Sequence, residues 1–526
     1  MSTDDHKDAD HTAIISTAKG SGHLAGGSFF EFGSRFVIAV VLARTLGASD
    51  YGLYVLAVSA AGVFAGIASL GLDDAMTRHV AISSGRNDRA AIMGTLQIGF
   101  VGAVGAGLVM AVVLFVAARP VASGWFDEPR LASLLRVVAL AVPLLTVSNV
   151  LSGTARGFGK MHFVAIAENG VQSIVRVVLT VAIVVLTGTI SVMVATVAFV
   201  VSDVAATVVF VLLLVRHFPV DRELQSNARR ETRGVVMFAL PLWVSSLLRQ
   251  SRRNIQTVLL GTSRSVSSAG VFSIVDKVNT VGHVWLLSLF VAVKPELARL
   301  HDRGDRRELG RLYATSTRWS LELTLPFVLV SVLFREAILR IFGGSFEAGA
   351  TALVILSCAE LVNAATGVCG PAIDMTGHTR TKVANSVVFT AILIATNALL
   401  IPEWGVIGAA VAALLATTVF NALCIVEMWV FERLLPFDAS SWKPLAAGAG
   451  AFMCGLALDV LLPLDRVGAM VALAPVICAV YAGLLLSFGL PTEDRLVIAR
   501  ALSKIPRPRR RRVTAGDTAA HDVAIG

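Results

Sequence analysis

The chain has 526 residues, of which 55% are apolar and 15% charged, with a mean hydropathy of +0.75 and a formal net charge of +9. A water-soluble fold of this length needs more polar surface, so a globular enzyme or nucleic-acid-binding protein is excluded as the frame for the whole chain. Five cysteines (Cys358, Cys369, Cys424, Cys454 and Cys478) sit inside apolar runs without a CxxC pair, the pattern of small buried side chains.

Residues 1–26 are polar and acidic (Asp4, Asp5, Asp8, Asp10) and do not have the shape of a cleavable signal peptide. They read as a cytoplasmic tail, and the first apolar run as a retained signal-anchor. Runs long enough to cross about 30 Å of hydrocarbon as helices then recur along the chain. The expected spans are 27–46, 52–71, 92–117, 131–152, 164–187, 191–215, 236–260, 269–292, 314–335, 348–371, 383–401, 405–431, 444–462 and 468–489. They lack the alternation of barrel strands. A spanning segment must satisfy its own backbone, which leaves helices. The fold class is an all-α polytopic membrane protein of about 14 transmembrane helices. The expected organisation is an N-terminal six-helix bundle (27–215), a cytoplasmic linker (216–235), a C-terminal six-helix bundle (236–431), two additional helices (444–489) and a basic tail (490–526).

Orientation follows from Lys and Arg. With the N-terminus inside, the inner segments carry 30 of the 45 basic residues, so both termini are expected in the cytoplasm of a cell-membrane protein. The positive charge is then a topology signal. The run Arg507-Pro-Arg-Arg-Arg-Arg512 reads first as a solvated tail that helps fix topology, with anionic lipid headgroups as the other reading.

The first outer corner reads VVLARTLGASDYGLY (40–54), with Gly47 ending one helix and Ser49 or Asp50 capping the next. It has an echo at Leu260–Phe272. Gly47 matches Gly261 at an offset of 214, and Gly52 and Tyr54 match Gly270 and Phe272 at 218. Asn149 with Asn363 and Gly159 with Gly377 keep the same two offsets. Six helices per half give both halves the same orientation, a parallel repeat about an axis along the membrane normal.

Charges within the spans are costly and usually face a partner or a wet cavity. Glu31 and Arg35, and Arg318 and Glu322, are four apart and can neutralise each other on one helix face. Arg249, Arg252, Arg253 and Gln256 form one polar stripe without an acid on that helix, and Arg249 lies 214 residues after Arg35. Equivalent arginines facing the interface between halves would make a basic cavity suited to phosphate, which guanidinium binds as a planar fork. Pairing with acids elsewhere in the bundle stays open. Soluble chemistry is poorly represented: Gly153-Thr-Ala-Arg-Gly-Phe-Gly-Lys160 has the wrong glycine spacing for a phosphate loop and carries Met161 where Ser or Thr is required.

Six stretches carry a family resemblance. They are LARTLGASDYGLY (42–54), GLDDAMTRHVA (71–81), SGTARGFGK (152–160), IFGGSFEAGATALVIL (341–356), DMTGHTR (374–380) and LIPEWGVIGAAVAA (400–413). With them the chain resembles the Wzx-type polysaccharide flippases of the multidrug/oligosaccharidyl-lipid/polysaccharide exporter superfamily over most of residues 25–490. The resemblance implies a transporter, not an enzyme, with a V-shaped pair of bundles around a basic cavity that alternates between the membrane faces. It implies a polyprenyl-pyrophosphate-linked oligosaccharide as substrate and polysaccharide assembly proteins as partners. Arg35 and Arg249 are the first candidates for the pyrophosphate, then Arg252, Arg253, Lys277 and Arg176. No cofactor is implied beyond coupling to H+ or Na+, for which Asp203, Glu31 and Asp276 are the candidate acids. The alternatives are a peptidoglycan lipid-precursor flippase, a drug or cation exporter of the same superfamily, and a membrane polysaccharide polymerase or ligase.

Overall fold

Every regular element among the described residues is helical, as backbone confined to hydrocarbon requires. The computed structural model describes residues 3–218, 232–461 and 466–489; the side chains of 3–31, 244, 245, 248–253, 285, 379 and 459 lie outside the description. The N-terminal helices are α1 (Thr3–Ala68), α2 (Leu72–Gly85), α3 (Arg89–Gly124), α4 (Arg130–Ala139), α5 (Ala141–Gly157), α6 (Met161–Val164), α7 (Ser173–Thr187) and α8 (Val192–His217). A π-helical segment, Ala165–Gln172, joins α6 to α7. There follow α9 (Thr232–Ser263), α10 (Val266–Asp302), α11 (Arg306–Leu333), α12 (Arg335–Arg340), α13 (Ala350–Thr366), α14 (Cys369–Met375), α15 (Thr379–Trp404), α16 (Val406–Glu432), α17 (Trp442–Leu461) and α18 (Arg466–Ser487). The helix starts carry ordinary signals: Asp88, Ser191, Ser265 and Asp305 each accept a backbone N–H of the first turn.

Ten stretches among the described residues are long and apolar enough to cross a membrane, so the chain is a multi-pass membrane protein. The first of them, Phe32–Ala68, covers most of the first two expected spans. Its only non-helical residue is Gly47, at φ +71° and ψ 173°, a backbone region essentially reserved for glycine. The corner is capped differently from the sequence expectation. The Ala48 N–H donates to Ser345 Oγ at 3.3 Å, and Asp50 instead pairs with Arg130 at 3.0 Å.

Just past this corner, α1 and α10 meet backbone to backbone. A β-carbon on Gly52 would overlap the Val266 carbonyl oxygen. One on Gly270 would overlap that of Ala48 and stand 2.9 Å from the Gly52 nitrogen. Ala48 and Val266 are separated by 218 residues, as are Gly52 and Gly270, so the two contacts are one contact seen from both sides of a local two-fold. Gly159 and Gly377 share positive φ values of 69° and 86°. Gly47 and Gly261 diverge: Gly261 lies inside α9, where its missing side chain admits Leu56 and Phe126.

The halves also touch at the far end of α1. Gly71 leaves room for the Ala239 carbonyl of α9, and the Trp243 indole N–H donates to the Ile67 carbonyl at 3.1 Å. Two of the family-like stretches turn out to pack on each other. Gly153 and Gly157 let α5 press on α2 at Asp73, Thr77 and Val80, and the Thr77 hydroxyl donates to the Gly153 carbonyl at 3.1 Å. Small residues four apart are the usual means of such an approach between membrane helices. Gly153 and Gly157 of SGTARGFGK therefore serve helix packing, and Gly159 a turn at positive φ.

Arg318 is 1% exposed. It pairs with Glu322 at 3.3 Å, as its spacing predicts, and reaches out to Asp438 at 3.6 Å and to Ser440 Oγ at 2.8 Å. The Tyr481 hydroxyl donates to the Glu322 carbonyl at 3.4 Å. The last two helices are thus fastened to α11 through a buried cation. Burial of Asp438 opposes its ionisation. Hydrogen bonds from Ser440 and Ser441 and the Arg318 charge outweigh that and hold its carboxyl below the usual range.

Gly52→Ala and Gly270→Ala are each expected to lower stability by about 1–3 kcal/mol through overpacking, read as a fall in thermal midpoint in detergent. For the clamp, a depressed folded-state pKa gives stability above the ordinary carboxylate pKa and loses it as pH falls through the lowered value. Asp438→Asn should therefore melt below wild type at neutral pH, with the gap closing on acidification below about pH 4.

Candidate functional site

Gly52 is flanked by two buried tyrosines, Tyr51 and Tyr54, with ring centroids 6.2 Å apart. Tyr51 also meets Phe346 edge-on at 5.9 Å. On the C-terminal side, Lys277 of α10 lies with its ammonium 5.6 Å from the Tyr51 ring centre and donates to Ser273 Oγ at 2.8 Å, one turn back. On the N-terminal side, Tyr54 stands within electrostatic reach of Arg176 and Asp203. The joint between the halves therefore brings one cation from each half to the tyrosine pair, Lys277 over the Tyr51 ring and Arg176 within electrostatic reach of Tyr54. Aromatic faces attract cations and lower the cost of holding them away from bulk water.

Arg176 on α7 donates through Nε to Ser202 Oγ at 3.0 Å, and its terminal nitrogen lies 3.5 Å from Asp203 Oδ1. Its guanidinium also covers the Phe199 ring at 4.5 Å. Asp203 is 3% exposed and takes a further hydrogen bond from the Gln172 side-chain amide. Gln172 closes the π-helical segment, and Arg176 follows it by one turn, so both reach the same carboxylate. A π turn inside a helix often marks a functional position. The second oxygen of Asp203 has no hydrogen-bond partner among the described residues. The group combines a fixed cation with a carboxylate that keeps an unused acceptor, which suits an anionic ligand on the arginine side and a small cation on the carboxylate side.

Of the residues singled out in the sequence, the structure brings together Arg176 and Asp203 directly, and Lys277 through the tyrosine pair. Arg35 is exposed on α1, one residue before Phe36, which packs against Phe342 at 5.3 Å. Asp276 is exposed beside Lys277. The side chains of Arg249, Arg252, Arg253 and Glu31 lie outside the described residues. The last member of the arginine stripe, Gln256, turns into the C-terminal bundle and donates to the Ala409 carbonyl at 2.7 Å. Among the described residues no three His, Cys, Asp or Glu side chains group as metal ligands. Sequence reasoning passed over Gln172, Ser202 and the two tyrosines. A usable signal existed, since Tyr51 and Tyr54 are two of only four tyrosines in the chain.

The family model described as polysaccharide biosynthesis protein matches residues 17–301, and the model MatE matches residues 241–399. Among curated proteins the chain is similar to the probable flippase AglR of Haloferax volcanii, at 26% identity over 223 residues, covering 42% of this chain and 45% of that protein. It is also similar to the capsular polysaccharide biosynthesis protein CapF of Staphylococcus aureus, at 21% identity, covering 42% of this chain and 54% of that protein. The chain thus spans about half the length of the curated relatives it matches. Among solved structures it shares the fold of the lipid II flippase MurJ in an inward closed conformation, with a TM-score of 0.70 at 12% identity over 91% of this chain and 99% of that one. An inward-facing MATE family transporter of the MOP superfamily gives a TM-score of 0.56 at 16% identity, over 76% and 98%.

Removing the carboxylate alone leaves a buried arginine short of its countercharge, which costs about 3–5 kcal/mol. Asp203→Ala should lower the thermal midpoint sharply, and Arg176→Met added to it should recover part of the loss, as a double-mutant cycle of thermal unfolding would read out.

Proposed function

The chain belongs to the polysaccharide biosynthesis protein family, and from that premise we propose that it flips a polyprenyl-pyrophosphate-linked oligosaccharide from the cytoplasmic to the outer leaflet of the cell membrane. The observation that carries this reading is the pair of intramembrane cations from opposite halves beside the glycine joint, Lys277 over the Tyr51 ring and Arg176 over the Phe199 ring within electrostatic reach of Tyr54. A scaffold has no use for such charges, and a cation exporter is served better by acids. A pyrophosphate headgroup needs cations that stay charged away from bulk water, and arginine does so.

In this reading the Gly52–Gly270 contact closes the outer end of the pathway. The headgroup enters from the cytoplasmic side and meets Arg35 and Arg249 first, with Arg252 and Arg253 on the same stripe. Arg176 and Lys277 receive it deeper. The prenyl chain stays in lipid while the halves rock about the glycine joint. Asp203, with an acceptor to spare, is the first candidate to couple the cycle to H+ or Na+, ahead of Glu31 and Asp276. Both termini lie in the cytoplasm, as the distribution of Lys and Arg supports. Polysaccharide assembly enzymes supply and consume the substrate. The names of AglR and CapF support the flippase reading and its link to surface polysaccharide.

The test is reconstitution in liposomes with a labelled polyprenyl-pyrophosphate oligosaccharide, following headgroup accessibility to an external reagent. Wild-type protein should flip the lipid. Arg35→Ala, Arg176→Ala, Arg249→Ala and Lys277→Ala should each slow it by about tenfold or more, the equivalent of ~1.4 kcal/mol, while keeping their gel-filtration profile. Unchanged rates in all four variants would remove the basic pathway from the mechanism.

A further inference from the structure

The C-terminal bundle contains a second polar centre that the flipping pathway does not use. His283 of α10 lies with Nδ1 2.9 Å from Glu360 Oε1 of α13, and Glu360 is 6% exposed. Around this pair, polar atoms are buried without partners among the described residues on all three helices that meet there. These are Asn279 Oδ1 on α10, Ser357 Oγ on α13, and Ser320 Oγ and Thr324 Oγ1 on α11. Asn279 is one turn before His283 and Ser357 one turn before Glu360, so each extends the pair along its own helix.

The α11 hydroxyls can be placed by helix phase. A β-carbon on Gly367, just past the end of α13, would strike Thr317, which fixes the face of α11 turned toward α13. One on Gly282 of α10 would strike Phe327, which fixes the face turned toward α10. At about 100° per residue, Thr324 and Ser320 fall between those two directions. Tyr313 and Ser331 share the sector, and their hydroxyls are also buried and unpartnered among the described residues. From Tyr313 to Ser331 the stripe rises about 27 Å, nearly the thickness of the hydrocarbon layer. Serine and threonine in helices commonly donate to a carbonyl one turn back, as Thr317 does to Tyr313. These hydroxyls do not. Unpartnered buried polar groups of this kind are satisfied by ordered water or by a bound ion.

We propose that the junction of α10, α11 and α13 is a proton-binding site, in which Glu360 and His283 hold the proton and the α11 hydroxyls line the hydrated path that delivers it. The donor set favours a proton over a metal cation. The imidazole already occupies one carboxylate oxygen at hydrogen-bond distance, and a hard cation would have to displace it to complete an oxygen shell. The other ionisable groups on the elements packed against Glu360 have their own partners or lie elsewhere. Arg318 and Glu322 of α11 hold each other and Asp438. Tyr313 stands by Cys369 and Cys424. Glu427 of α16 takes Asn385; on α12, Arg335 donates to the Val332 carbonyl, Glu336 pairs with Arg466 and Arg340 with Glu347. Asp276 and Lys277 are about two turns up α10, in the flipping pathway. The site is independent of which lipid the protein carries, because its own titration is the readout.

The experiment is infrared difference spectroscopy of the protonated carboxyl band across a pH titration, on full-length protein in nanodiscs. A carboxyl band present in wild type and absent in Glu360→Gln is expected. In His283→Gln, which loses the positive partner, the band should appear at a proton concentration at least tenfold lower. Asp203→Asn should leave it in place. A wild-type band that survives Glu360→Gln, or a midpoint unmoved in His283→Gln, would overturn the assignment. If Glu360→Gln does not fold, the His283→Gln midpoint alone decides. A tenfold shift of the wild-type midpoint on replacing choline with sodium would show that sodium competes for the same carboxylate, and would overturn the preference for a proton over a metal cation.

Discussion

Two helices can touch backbone to backbone only where neither carries a β-carbon at the crossing, and the arrangement of this protein turns on one such point. Gly52, just past the Gly47 corner of α1, meets Gly270 near the start of α10, each against the carbonyl of the residue four before the other. Lipid offers no hydrophobic drive for one apolar helix to leave it for another, so close van der Waals approach has to supply the association. Because the contact is reciprocal, it also sets a local two-fold. Residues on either side of the glycines then meet their counterparts, and Tyr51 and Tyr54 are brought between Lys277 and the Arg176–Asp203 pair.

Charge inside the hydrocarbon layer explains much of the remaining architecture. Arg318, almost fully buried, is bound by Glu322 on its own helix and by Asp438 and Ser440 from the connection that leads to α17. A cation that expensive to bury becomes a fastening for whatever supplies its countercharge. Arg176 has its own set of Asp203, Ser202 and the Phe199 ring. Outside the spans, the exposed Arg264 is spread over backbone carbonyls, donating to that of Ile401 at 3.2 Å and also to that of Glu403. The two termini of α16 are tied down differently. Gly405 precedes it at φ +55°, and Arg433 ends it in a left-handed turn over the Trp429 ring.

Polar groups divide into two kinds by what surrounds them. Hydroxyls such as Thr146, Thr154 and Thr196 donate to the carbonyl one turn back and vanish into the helix. Those on the inner stripe of α11 have no such bond, and they lie in the sector where α10 and α13 contribute Asn279, His283, Ser357 and Glu360. The first kind is compatible with any apolar neighbour. The second requires water or an ion, and it is gathered in the C-terminal bundle, apart from the cations at the glycine joint.

Much of this was legible along the chain. Apolar run length alone dictates helices, because hydrocarbon leaves the backbone no other partner, and the spacing of Arg318 and Glu322 foretold their pairing. The 218-residue offset marked Gly52 and Gly270 as equivalents, since a repeat is a property of order along the chain. Their direct contact could not be read that way, because equivalence does not say that equivalents touch. The same limit applies to the site. Arg176, Asp203 and Lys277 stood out as charges in apolar runs, but only packing joined them through two tyrosines and assigned Gln172 to the carboxylate. Gln256 shows the reverse case. Helix phase grouped it with three arginines, and the tertiary structure gave it instead to a carbonyl of α16. One-dimensional order determined which residues are costly to bury; the crossing of the helices decided which partners would make that burial possible.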